Sequence, residues 1–587
     1  MWVSAWAALV VLLGVTRLAG LDLRLPHHDE MVHVWWAERL AFSGTYTASP
    51  AYHGPLLYHL EAGALLLFGG GVWQSRLVAA LAGIGAVAAL VRLAWLEAGG
   101  RTAAALAIVL TLSPSWLYYS RFNAHDTLIL GCTAAVAWGR WHWSRGATTQ
   151  AIWLVAVALA LAWSTKLNAL FLVGAIGMWP LVWRIARPRD SNAPPLPWPR
   201  RSAVAAALAT AALLVAVLFA STYLTHTRDV GALDALARTW RAAFVDPVTY
   251  WLRLHQQERL GGPFHYYGLL LLLYEPLLVV GAVAALTTAW RLAGRSTRQA
   301  LAWIGVGALA AVLAWPLAGW LESLLHVHPV HLVLLPFAAA AMWTMAREHG
   351  RRGDAAGVWW TWMAATQTLL YGYAGEKVPW LVVHVALPWA MIAAPALARA
   401  WEAGRVWTRV GLVALAALTA QGALAVGLTH RSDVGEPLVQ LEYDAGTHAV
   451  LAQAARACAD LARDPEPCVV TTPDALWPAE WYLRSLPGTR AVSELSRAGA
   501  RTPFVFAPAR PLPGATEPPV DLRDTHVPYP VRFSSWGTWV AWWSRPEPVA
   551  LVRFWATRRP LGVRRAAPYT WWVRRDLAHS PPSLHQP

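Results

Sequence analysis

Charge is scarce in this 587-residue chain: charged residues make up 14% of it, against roughly 25% in ordinary globular domains. That deficit, set beside 57% hydrophobic residues, argues against a soluble protein. Cysteine is nearly absent, at three residues, so no disulfide framework defines the fold. Cys458 and Cys468 could pair in an oxidising space, but two buried free thiols are the favoured reading. Lysine is rarer still: of 48 basic side chains two are lysines, Lys166 and Lys377, and the rest are arginines. There is no Walker loop, no GxGxxG opening a βαβ unit and no HExxH, which counts against a nucleotide-driven pump and a zincin.

What is abundant is tryptophan, with 38 residues, a side chain that collects at lipid–water boundaries. Apolar runs of about 20 residues recur as far as residue 428, each enough to cross ~30 Å of hydrocarbon. They predict a polytopic α-helical membrane protein of about 13 transmembrane helices. The expected spans are 3–21, 72–96, 102–120, 126–143, 151–165, 167–185, 202–224, 266–290, 300–319, 329–346, 357–374, 380–399 and 406–428. The opening "MWVSAWAALVVLLGV" lacks a basic n-region and a small-x-small cleavage site, so a retained span is expected rather than a signal peptide. The short run "GPLLYHLEAGALLLFGG", carrying Glu61, reads as an interfacial helix within a first outer loop over 22–71.

Arginines fix the orientation. The even-numbered connections hold Arg92 and Arg101, Arg140 and Arg145, Arg184 to Arg201, Arg291 to Arg298, Arg347 to Arg352, and Arg399 to Arg409. Short arginine-rich loops stay cytoplasmic, so the N-terminus is expected inside a plasma membrane and the tail after residue 428 outside. The net charge of +15 then suits anionic membrane lipids, and no nucleic acid is expected as a partner.

The odd-numbered connections gather the unusual side chains: "HHDE", "SRFNAHDT", "STKLN", "HTRDV…HQQERLGGPFHYY", "ESLLHVHP" and "YAGEKVPW". In a chain that otherwise uses arginine, lysines at Lys166 and Lys377 point to a compact ammonium for a phosphate or pyrophosphate; snorkelling lysines are the alternative. Asp29 and Glu30 are adjacent, about 100° apart on a helix, so one can act on a substrate while the other orients it. An N-cap role for Asp29 would explain one carboxylate but not His27 and His28 beside it. Arg121 is a candidate anion contact, and Asp126, near His125, a candidate acceptor for a hydroxyl or metal. Placement in the first turn of a helix is the alternative account of Asp126. His326 and His328 have the spacing of metal ligands if extended, yet with only Glu322 nearby interfacial histidines are favoured. Glu275, in "LLLLYEPLL", lies about ten residues into a span and is expected to face the bundle interior, with Tyr274 near the same level.

"HHDE", "YHGPLLYHL", "YYSRFNAHD" and "WSTKLNA" together resemble the GT-C superfamily of polytopic glycosyltransferases. "GGPFHYYGLLLLLYEPLL", "YGYAGEKVPWLVVH" and "WPAEWYLR" resemble, within it, the flippase-activity-associated family of bacteria and archaea, distantly similar to protein O-mannosyltransferases. The resemblance runs to about residue 490. It implies a transferase using a polyprenyl-phosphate-linked sugar donor, with Asp29 as catalytic base and Glu30 its neighbour. It also implies that Arg121, His125, Asp126, Lys166, Lys377, His53, Glu376 and Glu275 line the donor and acceptor cavity. The absence of a DxD leaves metal dependence open. The residues support the same chemistry: a lipid-phosphate sugar brings its own leaving group, so a carboxylate base and fixed cations for the departing phosphate suffice. No cofactor is required; a divalent metal stays an option, and the acceptor is unidentified.

After the 1–428 domain, residues 429–575 read as a small extracytoplasmic α/β domain, with "THAVLAQAARACADLA" a helix and "PCVVTTP" and "TPFVFAP" strands; 576–587 reads as disordered. Two rival functions stand. A lipid-linked-sugar flippase should carry charged or broken-helix sites near the midplane, and a noncatalytic scaffold would leave the His, Asp, Glu and Lys cluster unexplained.

Overall fold

Alanine- and leucine-rich runs free of polar interruption make helix the cheapest way to satisfy the backbone in an apolar medium. A computed structural model describes residues 2–46, 49, 51, 53–188, 195–224, 231–257, 262–325, 328–433, 436–439, 443, 445–461, 467–486, 491–509, 522–532, 548–558 and 568–578. The chain forms two compact units, Met1–Leu21 with Leu40–Thr429, and Asp22–Arg39 with His430–Pro587. In chain order the helices up to residue 429 are α1 (Trp2–Leu18), α2 (His28–Ser43), α3 (Leu56–Phe68), α4 (Val72–Ala98), α5 (Gly100–Leu112), α6 (Pro114–Tyr119), α7 (Asp126–Ser144), α8 (Thr148–Trp163), α9 (Ala169–Ala186) and α10 (Arg201–Leu224). They continue with α11 (Ala232–Trp240), α12 (Asp246–Gln257), α13 (Tyr266–Tyr274), α14 (Pro276–Leu292), α15 (Thr297–Ala314), α16 (Ala318–Leu325), α17 (Leu335–Arg351), α18 (Ala355–Tyr373), α19 (Val382–Glu402) and α20 (Val406–Leu424).

Within the first unit α7 packs on α8, α14 on α19, and α4 on both α5 and α7. Six helices among the described residues are long and apolar enough to cross a membrane, or seven if the bent pair α13–α14 counts as one span. Several expected spans are shorter or broken, for local reasons. The run 102–120 is interrupted at Ser113, whose hydroxyl caps the next helix by accepting from the Trp116 N–H at 3.1 Å, with Pro114 starting that helix. The run 266–290 bends by 113° between α13 and α14, because Pro276 cannot donate to the preceding turn. The connection "HTRDV…HQQERL", read as loop, contains the amphipathic helices α11 and α12.

Strong local constraint appears where the segment after His53 meets the α8–α9 turn. Gly54 N–H donates to the Thr165 carbonyl and Leu56 N–H to the Ser164 carbonyl, both at 2.9 Å. A Cβ on Gly54 would lie 2.2 Å from the Ser164 oxygen, so the chain passes here only as glycine. His53, just before it, sits in the left-handed region at φ 67°, which non-glycine residues adopt at a strain cost.

In the second unit a five-stranded sheet runs in the order β2-β1-β3-β5-β4, with β1 Val469–Thr471, β2 Ala491–Val492, β3 Phe504–Pro508, β4 His526–Arg532 and β5 Pro568–Arg574. β1 pairs in parallel with β2 and β3, while β5 is antiparallel to β3 and β4. Helices α21 (Ala445–Asp460), α22 (Pro473–Leu483) and α23 (Pro548–Thr557) belong to the same unit, and Val470, Val505, Leu495 and Leu522 form a core under the sheet. The helix and two strands read from sequence are α21, β1 and β3; β4 and β5 were not anticipated. Cys458 and Cys468 are not free thiols: they form a disulfide across a sequence separation of 10 residues. The last turn of α21 and the entry to β1 bring their Cα atoms to 6.0 Å, within bridging distance. The closing segment 579–587 lies outside the described residues.

Gly54→Ala is expected to lower the melting temperature of the purified chain, by the equivalent of roughly 1–3 kcal/mol for an overpacked site. An unchanged melt would show that the 164–165 turn yields without cost.

Candidate functional site

Two groups of sequence candidates fall in different units. In the first unit, the start of α7, the α8–α9 turn and α19 converge on Asp126. Its carboxylate is 1% exposed and is held on two sides: the Lys166 ammonium donates to Oδ2 at 3.0 Å, and His384 Nε2 lies 2.9 Å from Oδ1. Asn168 Nδ2 donates to the Tyr371 hydroxyl at 3.0 Å, and the Tyr371 and His384 rings stack at 5.5 Å. Lys166 also lies 6.0 Å from the Trp380 ring centre. A small cavity of about 20 Å³ borders Asn168, Tyr371 and His384. Burial of a lone carboxylate would be prohibitive; an ammonium and an imidazole together make it tolerable. His125, next in chain, packs edge-on to His53 at 4.9 Å, and His53 stacks on Trp251 at 5.1 Å.

The other expected cations turn elsewhere. Lys377, 5% exposed, donates to the carbonyls of Tyr371 at 3.1 Å and Gly372 at 2.8 Å, and also to that of Ala374. Arg121 donates to the carbonyls of Thr16, Ala19 and Gly20 at 2.7–2.8 Å. Each thus closes the C-terminal end of a helix, α18 and α1 respectively, where carbonyls lack intrahelical partners and the dipole is negative. Glu376 is half-buried beside Lys377. Glu275 is fully buried, as expected, at the α13–α14 break. Its Oε1 accepts from the Ser113 hydroxyl at 2.7 Å and the Ser115 N–H at 3.1 Å, while Oε2 has no hydrogen-bond partner among the described residues.

In the second unit the N-terminus of α2 organises the paired carboxylates. His27 N–H donates to Glu30 Oε2 at 2.9 Å, and the His27 ring accepts from the Asp29 N–H at 3.0 Å. This is the reciprocal logic of a capping box, with His27 in the capping position. The Arg24 guanidinium adds a 2.6 Å contact to Glu30 Oε1. Glu30, not Asp29, therefore serves the cap. The Asp29 side chain keeps 41% of its surface exposed. His28 lies 2.8 Å from the Tyr443 hydroxyl; Trp35 packs edge-on to Trp477; Glu38 pairs with Arg484 at 3.1 Å. Segment 22–39 is thereby stitched to residues beyond 430.

Of the metal candidates, His326 lies outside the described residues, and the His328 ring accepts from the Val330 N–H at 3.2 Å. His265 and His331 instead meet at 2.9 Å. Among the described residues no group of three or more His, Cys, Asp or Glu is placed to hold a metal ion. Sequence reading missed His384, Asn168 and Tyr371. Asn168 stands two residues after Lys166, and His384 is a polar residue inside an apolar run, which marks function or pairing.

A profile described as dolichyl-phosphate-mannose-protein mannosyltransferase matches residues 52–215. No curated protein matches the chain. Among solved structures, ArnT from Cupriavidus metallidurans bound to undecaprenyl phosphate aligns over 99% of both chains at 14% identity and a TM-score of 0.52. The same protein in its apo state aligns equally far at 16% identity and a TM-score of 0.52. The Archaeoglobus fulgidus oligosaccharyltransferase, in a complex with zinc and sulfate, aligns over 86% of this chain and 67% of its own, at 14% identity and a TM-score of 0.42.

Burial holds two histidines of the second unit neutral. His27 is pushed down to about 4, with Asp29 and Glu30 only partly opposing, and burial pushes His448 down to about 4 as well. Unfolding lets each return to an ordinary 6.5 and take up a proton, so stability present above pH 6.5 is lost as pH falls towards 4. The full loss is roughly 3 kcal/mol per histidine. Melting temperature measured from pH 7.5 to 4.5 should fall, and more shallowly in His27→Gln and His448→Gln; parallel slopes would assign the titration to other groups.

Among its described residues the chain carries six helices long and apolar enough to cross a membrane, or seven with the bent pair, and it shares the fold of ArnT over 99% of both chains.

Proposed function

We propose that the chain transfers a sugar from a polyprenyl-phosphate-linked donor to an acceptor hydroxyl at the outer face of the membrane. The observation that carries this reading is the GT-C fold shared along 99% of both chains with ArnT, a protein whose structure holds undecaprenyl phosphate; the mannosyltransferase profile over 52–215 supports it. Asp29 takes the proton of the acceptor hydroxyl, the acceptor oxygen bonds to the anomeric carbon, and the bond from that carbon to the phosphate oxygen breaks. The polyprenyl phosphate leaves with the electron pair, and in-line displacement inverts the anomeric centre. Support for Asp29 over Glu30 comes from the α2 terminus: Glu30 is spent on Arg24 and the His27 N–H. Lys166 is the candidate cation for the donor phosphate, and exchange of its contact with Asp126 would be part of donor binding. The disulfide Cys458–Cys468 supports an oxidising side for the tail, in keeping with arginine-rich loops in the cytoplasm.

Purified protein, given radiolabelled polyprenyl-phosphate sugars, should show transfer at least ~100-fold slower in Asp29→Asn, the low end for a lost general base, with an unchanged melt. Glu30→Gln should instead lower the melting temperature. Equal turnover of wild type and Asp29→Asn removes Asp29 from the chemistry.

One observation favours the rival reading, a lipid-linked-sugar flippase. A helix broken by 113° with a buried carboxylate at the break is a device used by transporters. In proteoliposomes, Glu275→Gln should leave lipid-linked-sugar movement unchanged if the protein is a transferase. Loss of flux with sugar transfer intact would establish transport.

A further inference from the structure

A cavity of about 720 Å³ lies in the first unit at the end where the even-numbered, arginine-rich connections meet. Its lining includes none of the residues singled out for sugar transfer. Its inner wall is apolar: Leu106 of α5, Ala285 and Ala289 of α14, Met345 of α17, and Met391 and Ile392 of α19. The polar rim lies near Glu402, eleven residues along α19 from Met391, so the apolar part extends roughly 16 Å inward at the helical rise. That volume falls within the range of ligand pockets.

The rim is charged, and its charges are nearly all matched. Glu402 pairs with Arg101 at 2.8 Å, Glu348 with Arg352 at 2.8 Å, and Asp354 with His349 at 2.8 Å; Glu97 pairs with Arg140. Arg399 is the exception. It lines the cavity and is exposed, and its guanidinium makes no hydrogen bond or ion pair among the described residues. Arg352 stands close enough to repel it and Glu402 close enough to attract it, the latter without an ion-pair contact. Two guanidiniums at one lip, one of them without a hydrogen-bond partner among the described residues, present a site for a phosphate above an apolar shaft.

We propose that this cavity binds an anionic glycerophospholipid of the adjoining leaflet, its phosphate at Arg399 and Arg352 and one acyl chain between α5, α14 and α19. A soluble anion would use the lip but leave the apolar shaft unexplained. A neutral lipid would fill the shaft but leave Arg399 unmatched. Basic pockets between membrane helices on the arginine-rich side recognise acidic headgroups in this way.

The test measures lipid retention. The full-length protein is reconstituted in nanodiscs of equal phosphatidylglycerol and phosphatidylcholine, extracted into detergent, and its bound lipids are counted by native mass spectrometry. Wild type should keep about one phosphatidylglycerol, at least ~10-fold over phosphatidylcholine. Arg399→Gln should lower that preference ~10-fold. Ala289→Phe, which fills the shaft, should abolish retention, whereas Arg291→Gln, at the same end but outside the cavity, should change nothing. Retention by Arg399→Gln equal to wild type overturns the proposal. So does displacement by millimolar inorganic phosphate, which would mark an anion site alone, or preferential retention of an added polyprenyl phosphate.

Discussion

An ionised carboxylate with almost no access to water is the constraint around which the first unit is arranged. Asp126 can be buried only because Lys166 and His384 reach it from two other parts of the chain, and that need ties the start of α7 to the α8–α9 turn and to α19. The separations in sequence are 40 and 258 residues, so the contact selects one arrangement of helices out of many that would bury the same apolar surface. Hydrophobic packing between membrane helices has little preference among such arrangements, because lipid is as apolar as the helix faces. Polar pairing supplies the discrimination.

The same accounting explains the other cations at that end. A helix that stops within or near the hydrocarbon leaves up to four carbonyls without partners, and water is not there to take them. Lys377 donates to three carbonyls at the end of α18 and Arg121 to three at the end of α1. A lysine suits the first because an ammonium directs three donors from one point; an arginine suits the second because its fork spans two successive turns. Glu275 is the mirror case, a carboxyl whose Oε1 accepts from the start of the short helix α6, where N–H groups are unmatched. The breaks α5–α6 and α13–α14 thus meet through Oε1 of one side chain.

These details mark where sequence stops being legible. Apolar runs located most helices of the first unit, since hydropathy and helix formation have the same cause. Among the described residues, however, six, or seven with the bent pair, are long and apolar enough to cross a membrane, against thirteen expected. Grouping connections by arginine separated the residues around Asp126 from those around Arg399, and the structure keeps them at different helix ends. What a run of letters could not disclose was the partner of each charge. A lysine two residues from an asparagine looks the same whether it meets a phosphate, a carboxylate or a carbonyl, and only long-range contacts decide. Breaks were missed because one serine, or one glutamate before a proline, barely lowers the apolarity of a window. The disulfide was misread for a related reason: a separation of 10 residues is compatible with bonded or free cysteines until the turn between helix and strand is known. β4 and β5 went unseen because prolines in "HVPYPVR" obscure the strand alternation.

The paired carboxylates of "HHDE" show how a helix terminus can divide labour between neighbours. Both belong to the first turn of α2, where negative charge is welcome, but their directions differ by about 100°. At the third position of the helix the Glu30 side chain folds back onto the unsatisfied N–H of His27, and Arg24 fixes it there. At the second position Asp29 cannot fold back in that way, so its carboxylate stays accessible while its own N–H is taken by the His27 ring. Neutral His27 is essential to this division, because a protonated ring could not accept that N–H. The low affinity of His27 for protons, caused by burial, is therefore a condition for the geometry of the turn. A carboxylate with a partly exposed side chain and a neighbour committed to structure supports the proposed role of Asp29 as base.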